Sequence, residues 1–168
     1  MDLARIIERS RTSAFHRRVL NMGLARLIPF NRPHGFRVVP LPAGGIRVEV
    51  PFRRINRNHI RGIHACCLAT AAEFCSGLAL MTAVEPGRFR IIMKELRMEY
   101  HFQARSGTHA EFAPAKELLE ERLVRPLMEG GPVLFVAEVP LHDSEGHHVA
   151  TGTVTWQIKA WEQVRTRP

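Results

Sequence analysis

The sequence predicts an α+β fold in which an antiparallel sheet wraps around one long central helix, preceded by a helical cap at the N-terminus. Three features carry that expectation. Residues 63–82 are an apolar run in which Glu73 is the single carboxylate among Ala, Leu, Cys, Met and Phe, so they read as a helix enclosed on nearly all sides. Segments before and after that run alternate apolar and polar residues with period two, the pattern of half-buried strands. Hairpin turn signals join them at Pro42-Ala43-Gly44-Gly45 and Asp143-Ser144-Glu145-Gly146.

In chain order, Leu3, Ile6, Ile7, Val19, Leu20, Leu24, Leu27 and Ile28 stand among arginines and suit one or two amphipathic helices ending before Pro29. Residues 1–30 are assigned to this cap and residues 31–168 to the main domain. A basic amphipathic helix can lie on an anionic membrane, but packing against its own sheet is the preferred reading. Segments 36–41 and 46–52 form a hairpin, with Ile46, Val48, Val50 and Phe52 alternating with Arg47, Glu49 and Arg53. The central helix follows and is closed by Glu85-Pro86-Gly87. Residues 88–103 make a long strand, with Leu96, Met98, Tyr100 and Phe102 on one face, and its expected partner is the segment 107–113. Pro114 opens a short helical segment at 115–128, whose apolar side is Leu118, Leu119, Leu123 and Leu127, ended by Gly130-Gly131-Pro132. Strands at 133–141 and 148–160 complete the chain. A sheet that must bury one apolar helix by wrapping around it is the hotdog fold.

At 168 residues the chain can build a core without disulfides or metal. Its three cysteines, Cys66, Cys67 and Cys75, all fall on the apolar helix and give no disulfide framework. No apolar run free of polar interruption reaches the roughly 18 residues of a membrane span. The start Met1-Asp2-Leu3-Ala4-Arg5 lacks a signal peptide's apolar region, so a cytoplasmic protein is expected. The formal charge of +8 favours anionic partners, but the basic residues are dispersed and accompany no helix-turn-helix, zinc-finger or RNP-like pattern, so nucleic-acid binding is not expected. His101, His109, His142, His147 and His148 lack a metal-ligand spacing with a nearby acid, and no zinc is expected.

Glu73 is the leading candidate site residue. Enclosing a carboxylate costs several kcal/mol, by rough estimate, unless it is partnered or protonated. Cys66, Thr70 and Gly77 share its face at helical spacing and are small enough to leave room for a ligand. The competing reading of Glu73 is a carboxylate tied to an arginine or to backbone across a dimer interface.

The stretch Asn58-x5-His64-Ala65-x7-Glu73 resembles the loop and helix start of hotdog-fold acyl-CoA thioesterases, where Asn or Gln is followed by His-Gly-Gly and then by an acid two turns into the helix. The cap and the 114–130 insertion are most similar to the DUF4442 branch of that superfamily. The resemblance implies a homodimer or a dimer of dimers acting on acyl-CoA or an acyl carrier. It requires no cofactor beyond the coenzyme A of the substrate, whose phosphates would meet basic side chains. It implies Glu73 as general base or nucleophile and the Ala65 N–H as oxyanion donor, since the first N–H groups of a helix lack intrahelical partners. Asn58 would assist through its amide or merely form the turn, and His64 would orient the loop or be structural. Lys94 occupies a strand position where these enzymes place a polar residue facing the site, or is an ordinary surface lysine. Ala65 and Cys66 replace the two glycines, which leaves open a non-catalytic acyl-binding or structural dimer. A hotdog hydratase or dehydratase is the other alternative, although Asn56-Arg57-Asn58-His59 lacks the leading Asp and the Pro of one such motif.

Overall fold

Two helices open the chain, α1 (Leu3–Ser10) and α2 (Ala14–Leu27), and the Ser13 side chain caps the second. Their apolar residues Ile7, Leu20 and Leu24 are buried in the same core as the sheet, whereas Phe15, Met22 and Leu27 stay exposed. The hairpin follows as β1 (Arg37–Pro40) and β2 (Ile46–Val50). Its turn needs Gly45, where φ is +82° and an added Cβ would lie 2.5 Å from the Ala113 backbone.

The apolar run folds as α3 (Ala65–Ala83), with eleven of its 19 residues buried. After it come β3 (Phe89–Tyr100), β4 (Thr108–Phe112), α4 (Lys116–Leu119), a π-helical turn (Glu120–Val124), α5 (Arg125–Met128), β5 (Val133–Asp143) and β6 (His148–Ala160). The computed structural model describes residues 3–85 and 87–164. Met1, Asp2 and Pro86, on which the leader and helix-terminator expectations partly rest, lie outside the described residues.

The six strands form one sheet in the order β1-β2-β4-β5-β6-β3, and every neighbouring pair is antiparallel. α3 lies against its inner face, which makes this a hotdog fold. The fit is close. Gly152 on β6 admits Ala72, whose Cβ would be 2.7 Å from a Cβ at that glycine, and Gly77 admits the ring of Trp156. On the other side the Cys75 thiol donates to the Ile46 carbonyl at 3.1 Å, and burial pushes that thiol's pKa far up. α3 is long and apolar enough to cross a membrane, but 61% of its most apolar window is buried inside the protein.

One expectation is corrected. The segment 107–113 does not pair with β3; its strand β4 lies between β2 and β5, and β3 pairs with β6. Period-two alternation tells which face of a strand is buried and says nothing about its neighbour. Ladder length decides here: β3 has 12 residues, and β6, with 13, can pair along all of it, whereas the five of β4 would strand most of its backbone groups. The result leaves β3 as a long edge strand with Ile92 and Met93 exposed at 44% and 40%. An edge of that length with apolar side chains is a template for pairing. It carries a bulge between Met93 and Glu95, with Lys94 as the extra residue.

Candidate functional site

The loop before α3 is built by two asparagines. Asn56 is fully buried, and its Nδ2 donates to the carbonyls of His34 and Pro51 at 2.9 Å each. Asn58 ties a tight turn: its Oδ1 accepts from the backbone N–H groups of Ile60 (3.1 Å) and Gly62 (3.0 Å). The left-handed residue of this turn is Arg61, with φ +65°. Gly62 is required for a different reason, since a Cβ there would lie 2.8 Å from Gln103 Cγ. That turn delivers His64 to the helix N-cap, where its Nδ1 accepts from the Cys66 N–H at 3.1 Å. The accepting nitrogen is unprotonated, so the neutral ring carries its proton on Nε2.

The first-turn donors are then almost all used. Cys67 and Leu68 donate to the His64 carbonyl and Cys66 donates to the His64 ring. The Ala65 N–H has no acceptor among the described residues. Ala65 lines a cleft of about 320 Å³ together with Asn58, Leu68, Tyr100, His101 and Gln103. Tyr100 donates its hydroxyl to the Ala65 carbonyl at 3.3 Å, and Gln103 Nε2 donates to the Ile60 carbonyl at 3.2 Å. Tyr100 and Gln103 thus form a wall of the cleft that sequence reasoning missed. Both stood in the alternation of a strand, and nothing local marked them as neighbours of the helix start.

Glu73 lies two turns further along α3, half-buried. Burial raises its pKa, and no hydrogen bond or ion pair reaches its carboxylate among the described residues. The residues on its face serve the helix as much as any ligand. The Thr70 hydroxyl donates to the Cys66 carbonyl at 2.8 Å, and the space at Gly77 is filled by Trp156. The Cys66 thiol is exposed. Lys94 is exposed on its bulge and makes no ion pair with Glu73. At 1.5 Å per residue, Ala65 and Glu73 are about 12 Å apart along the axis. An oxyanion donor must approach the carbonyl oxygen, and a general base the attacking water, to about 3 Å each.

The expectation that no acid lies near His147 is also corrected: its Nδ1 is 3.1 Å from Asp143 Oδ2 and 3.8 Å from Glu145 Oε2. These residues are brought together by the β5–β6 turn, where Asp143 Oδ1 accepts from the backbone N–H groups of Glu145 and His147. Burial alone would raise the Asp143 pKa, but these amides and the His147 ring hold it below its ordinary value.

A family model described as domain of unknown function DUF4442 matches residues 16–158. A solved Pseudomonas aeruginosa protein of unknown function, described as a "probable thioesterase", is 26% identical and has a TM-score of 0.75. That match covers 85% of this chain and 95% of that one. A thioesterase from Haemophilus influenzae is 14% identical with a TM-score of 0.71, covering 94% of this chain and 99% of that one; at such identity the likeness is one of fold. Among curated proteins none matches.

Proposed function

The chain belongs to the DUF4442 family, and on that premise we propose that it is a thioester hydrolase acting on acyl-CoA or an acyl carrier, working as a dimer whose sites combine two chains. The observation that carries this reading is one helix holding both an unpartnered N-terminal N–H beside a cleft and a desolvated, unpaired carboxylate. The likeness to thioesterases at the level of fold supports it.

The separation of about 12 Å along the axis between Ala65 and Glu73 supports pairing the start of one helix with the middle of another. If two β3 edges pair about a two-fold axis, the α3 helices run antiparallel, and the start of one faces the middle of the other. In that arrangement the Ala65 N–H of one chain receives the developing oxyanion, with Asn58 Nδ2 beside it. Glu73 of the other chain takes a proton from water as the water oxygen attacks the thioester carbon. The C–S bond then breaks, and the protonated Glu73 returns that proton to the departing sulfur, giving the free thiol and the carboxylic acid. Asn58 suits its part because its Oδ1 is held by the turn while no hydrogen bond from Nδ2 is made among the described residues. Arg105, hydrogen-bonded to the cleft residue Gln103, and Arg61, in the turn that Asn58 closes, are both exposed and would meet coenzyme A phosphates.

Hydrolysis of a panel of acyl-CoAs, followed with a thiol reagent, tests the activity. Subunit exchange tests the shared site: Glu73→Gln and Asn58→Ala proteins, each inactive alone, should recover roughly a quarter of wild-type activity when mixed, because each hybrid dimer holds one intact site. No recovery after demonstrated exchange would refute the composite site, and no hydrolysis of any acyl-CoA or acyl carrier would refute the enzyme.

A further inference from the structure

Five of the nine histidines gather at one end of the sheet. His109, His142 and His148 are successive partners across β4, β5 and β6. His142 lies between the buried Leu141 and Asp143, so alternation turns it to the outer face. His101 follows β3 directly and is fixed by its backbone N–H to the Val149 carbonyl at 2.9 Å. Ring centres are 5.1 Å apart between His142 and His148 and 4.6 Å apart between His148 and His101. The Nε2 atoms of His148 and His101 meet at one oxygen, Thr151 Oγ1, at 2.9 Å and 3.2 Å.

We propose that His101, His142 and His148 form a binding site for a divalent first-row transition ion of the zinc, nickel or copper class. Imidazole nitrogens suit these ions, while magnesium and calcium prefer oxygen. With metal–nitrogen bonds of about 2.0–2.1 Å, imidazoles sharing one tetrahedral ion hold their ring centres about 5 Å apart, close to the two separations measured from His148; His142 and His101 stand on either side of it, so the ion would sit over the His148 ring with the two outer rings turned towards it. His101 and His148 are exposed, so their nitrogens reach a common point by rotating about side-chain bonds, without moving the backbone. The Thr151 hydroxyl stands beside both rings as a hydrogen-bond partner for a bound ion's water. An ion at this point would tie the β5–β6 hairpin to His101, which also lines the cleft beside Asn58 and Ala65.

The inference does not rest on the thioesterase reading, because its readout is binding. Untagged, chelator-treated protein at pH 7.5 is titrated calorimetrically with zinc chloride and with nickel chloride. One saturable site per chain with a micromolar or tighter dissociation constant is expected, together with a rise in melting temperature and no response to magnesium chloride. His148→Ala and His101→Ala should each weaken binding at least ten-fold and abolish the rise in melting temperature, while their ion-free melting stays near wild type. His147→Ala should leave binding unchanged. Absence of saturable binding overturns the proposal, as does unchanged affinity in both the His148→Ala and His101→Ala proteins. Loss of affinity in His147→Ala alone also overturns it, since the ion would then belong to the Asp143, Glu145 and His147 turn.

Discussion

The indole Nε1–H of Trp156 on β6 donates to the Ser76 hydroxyl on α3 at 3.0 Å, and the same ring occupies the space over Gly77, where a Cβ would lie 2.9 Å from Cη2. One side chain therefore fixes how deeply the helix that carries Glu73 sits on the sheet. A methyl at position 77 gains up to about 1 kcal/mol of helix propensity but overpacks a buried ring, which costs typically 1–3 kcal/mol. Gly77→Ala should lower the melting temperature by about 2–4 °C for each net kcal/mol, as read by thermal denaturation. Trp156→Phe in the same chain should relieve the clash, so the two changes should be non-additive.

Glu73 has no cation to hold it among the described residues, so its charge opposes folding. A carboxyl whose folded pKa is raised binds more protons folded than unfolded. Its contribution to stability is complete below the ordinary carboxylate pKa and is lost as pH rises through the raised value. Glu73→Gln should therefore melt no lower than wild type at pH 8, with the difference shrinking towards pH 4. If Glu73 is the general base, the same change lowers kcat by about 10² to 10⁴-fold, and wild-type kcat rises with pH through the raised pKa. A stable Gln variant with unchanged hydrolysis would remove Glu73 from the mechanism.

Asn58 has two separable jobs, turn formation through Oδ1 and donation through Nδ2. Asn58→Asp keeps an acceptor for the Ile60 and Gly62 amides and should keep most of the stability while losing activity. Asn58→Ala strips both amides of their partner and should cost about 1–3 kcal/mol as well. Denaturant melts beside steady-state kinetics read the two effects apart.

His64 is placed to act as a helix cap. His64→Asn preserves a capping acceptor and should fold like wild type, whereas His64→Ala should lose about 0.5–2 kcal/mol. Chemical denaturation measures the difference, and equal stabilities would show that the ring's hydrogen bond to Cys66 contributes nothing.

The open β3 edge predicts the assembly. Light scattering should give a dimer or a multiple of it, and Met93→Asp, which brings like charges together near the two-fold axis, should shift the protein towards monomer and reduce activity with it. A strictly monomeric wild-type protein with full activity would defeat the two-chain site.

By itself the sequence determined the local quantities. The period-two alternation around Val48 and Met98 and the unbroken apolar run around Leu78 specify strands, strand faces and the enclosed helix, because backbone geometry repeats over a few residues. The lone acid in that run marked Glu73 for the same reason. Tertiary structure decided what depends on residues far apart in the chain. It gave β3 the partner β6, a strand long enough to pair along all of it where β4 is not, and it showed that Gly77 makes way for an indole 79 positions later. It brought Tyr100 and Gln103 against the loop that Asn58 and His64 shape, through their hydrogen bonds to the Ala65 and Ile60 carbonyls. It also set Ala65 and Glu73 two helical turns apart on the same helix, with the cleft at its start.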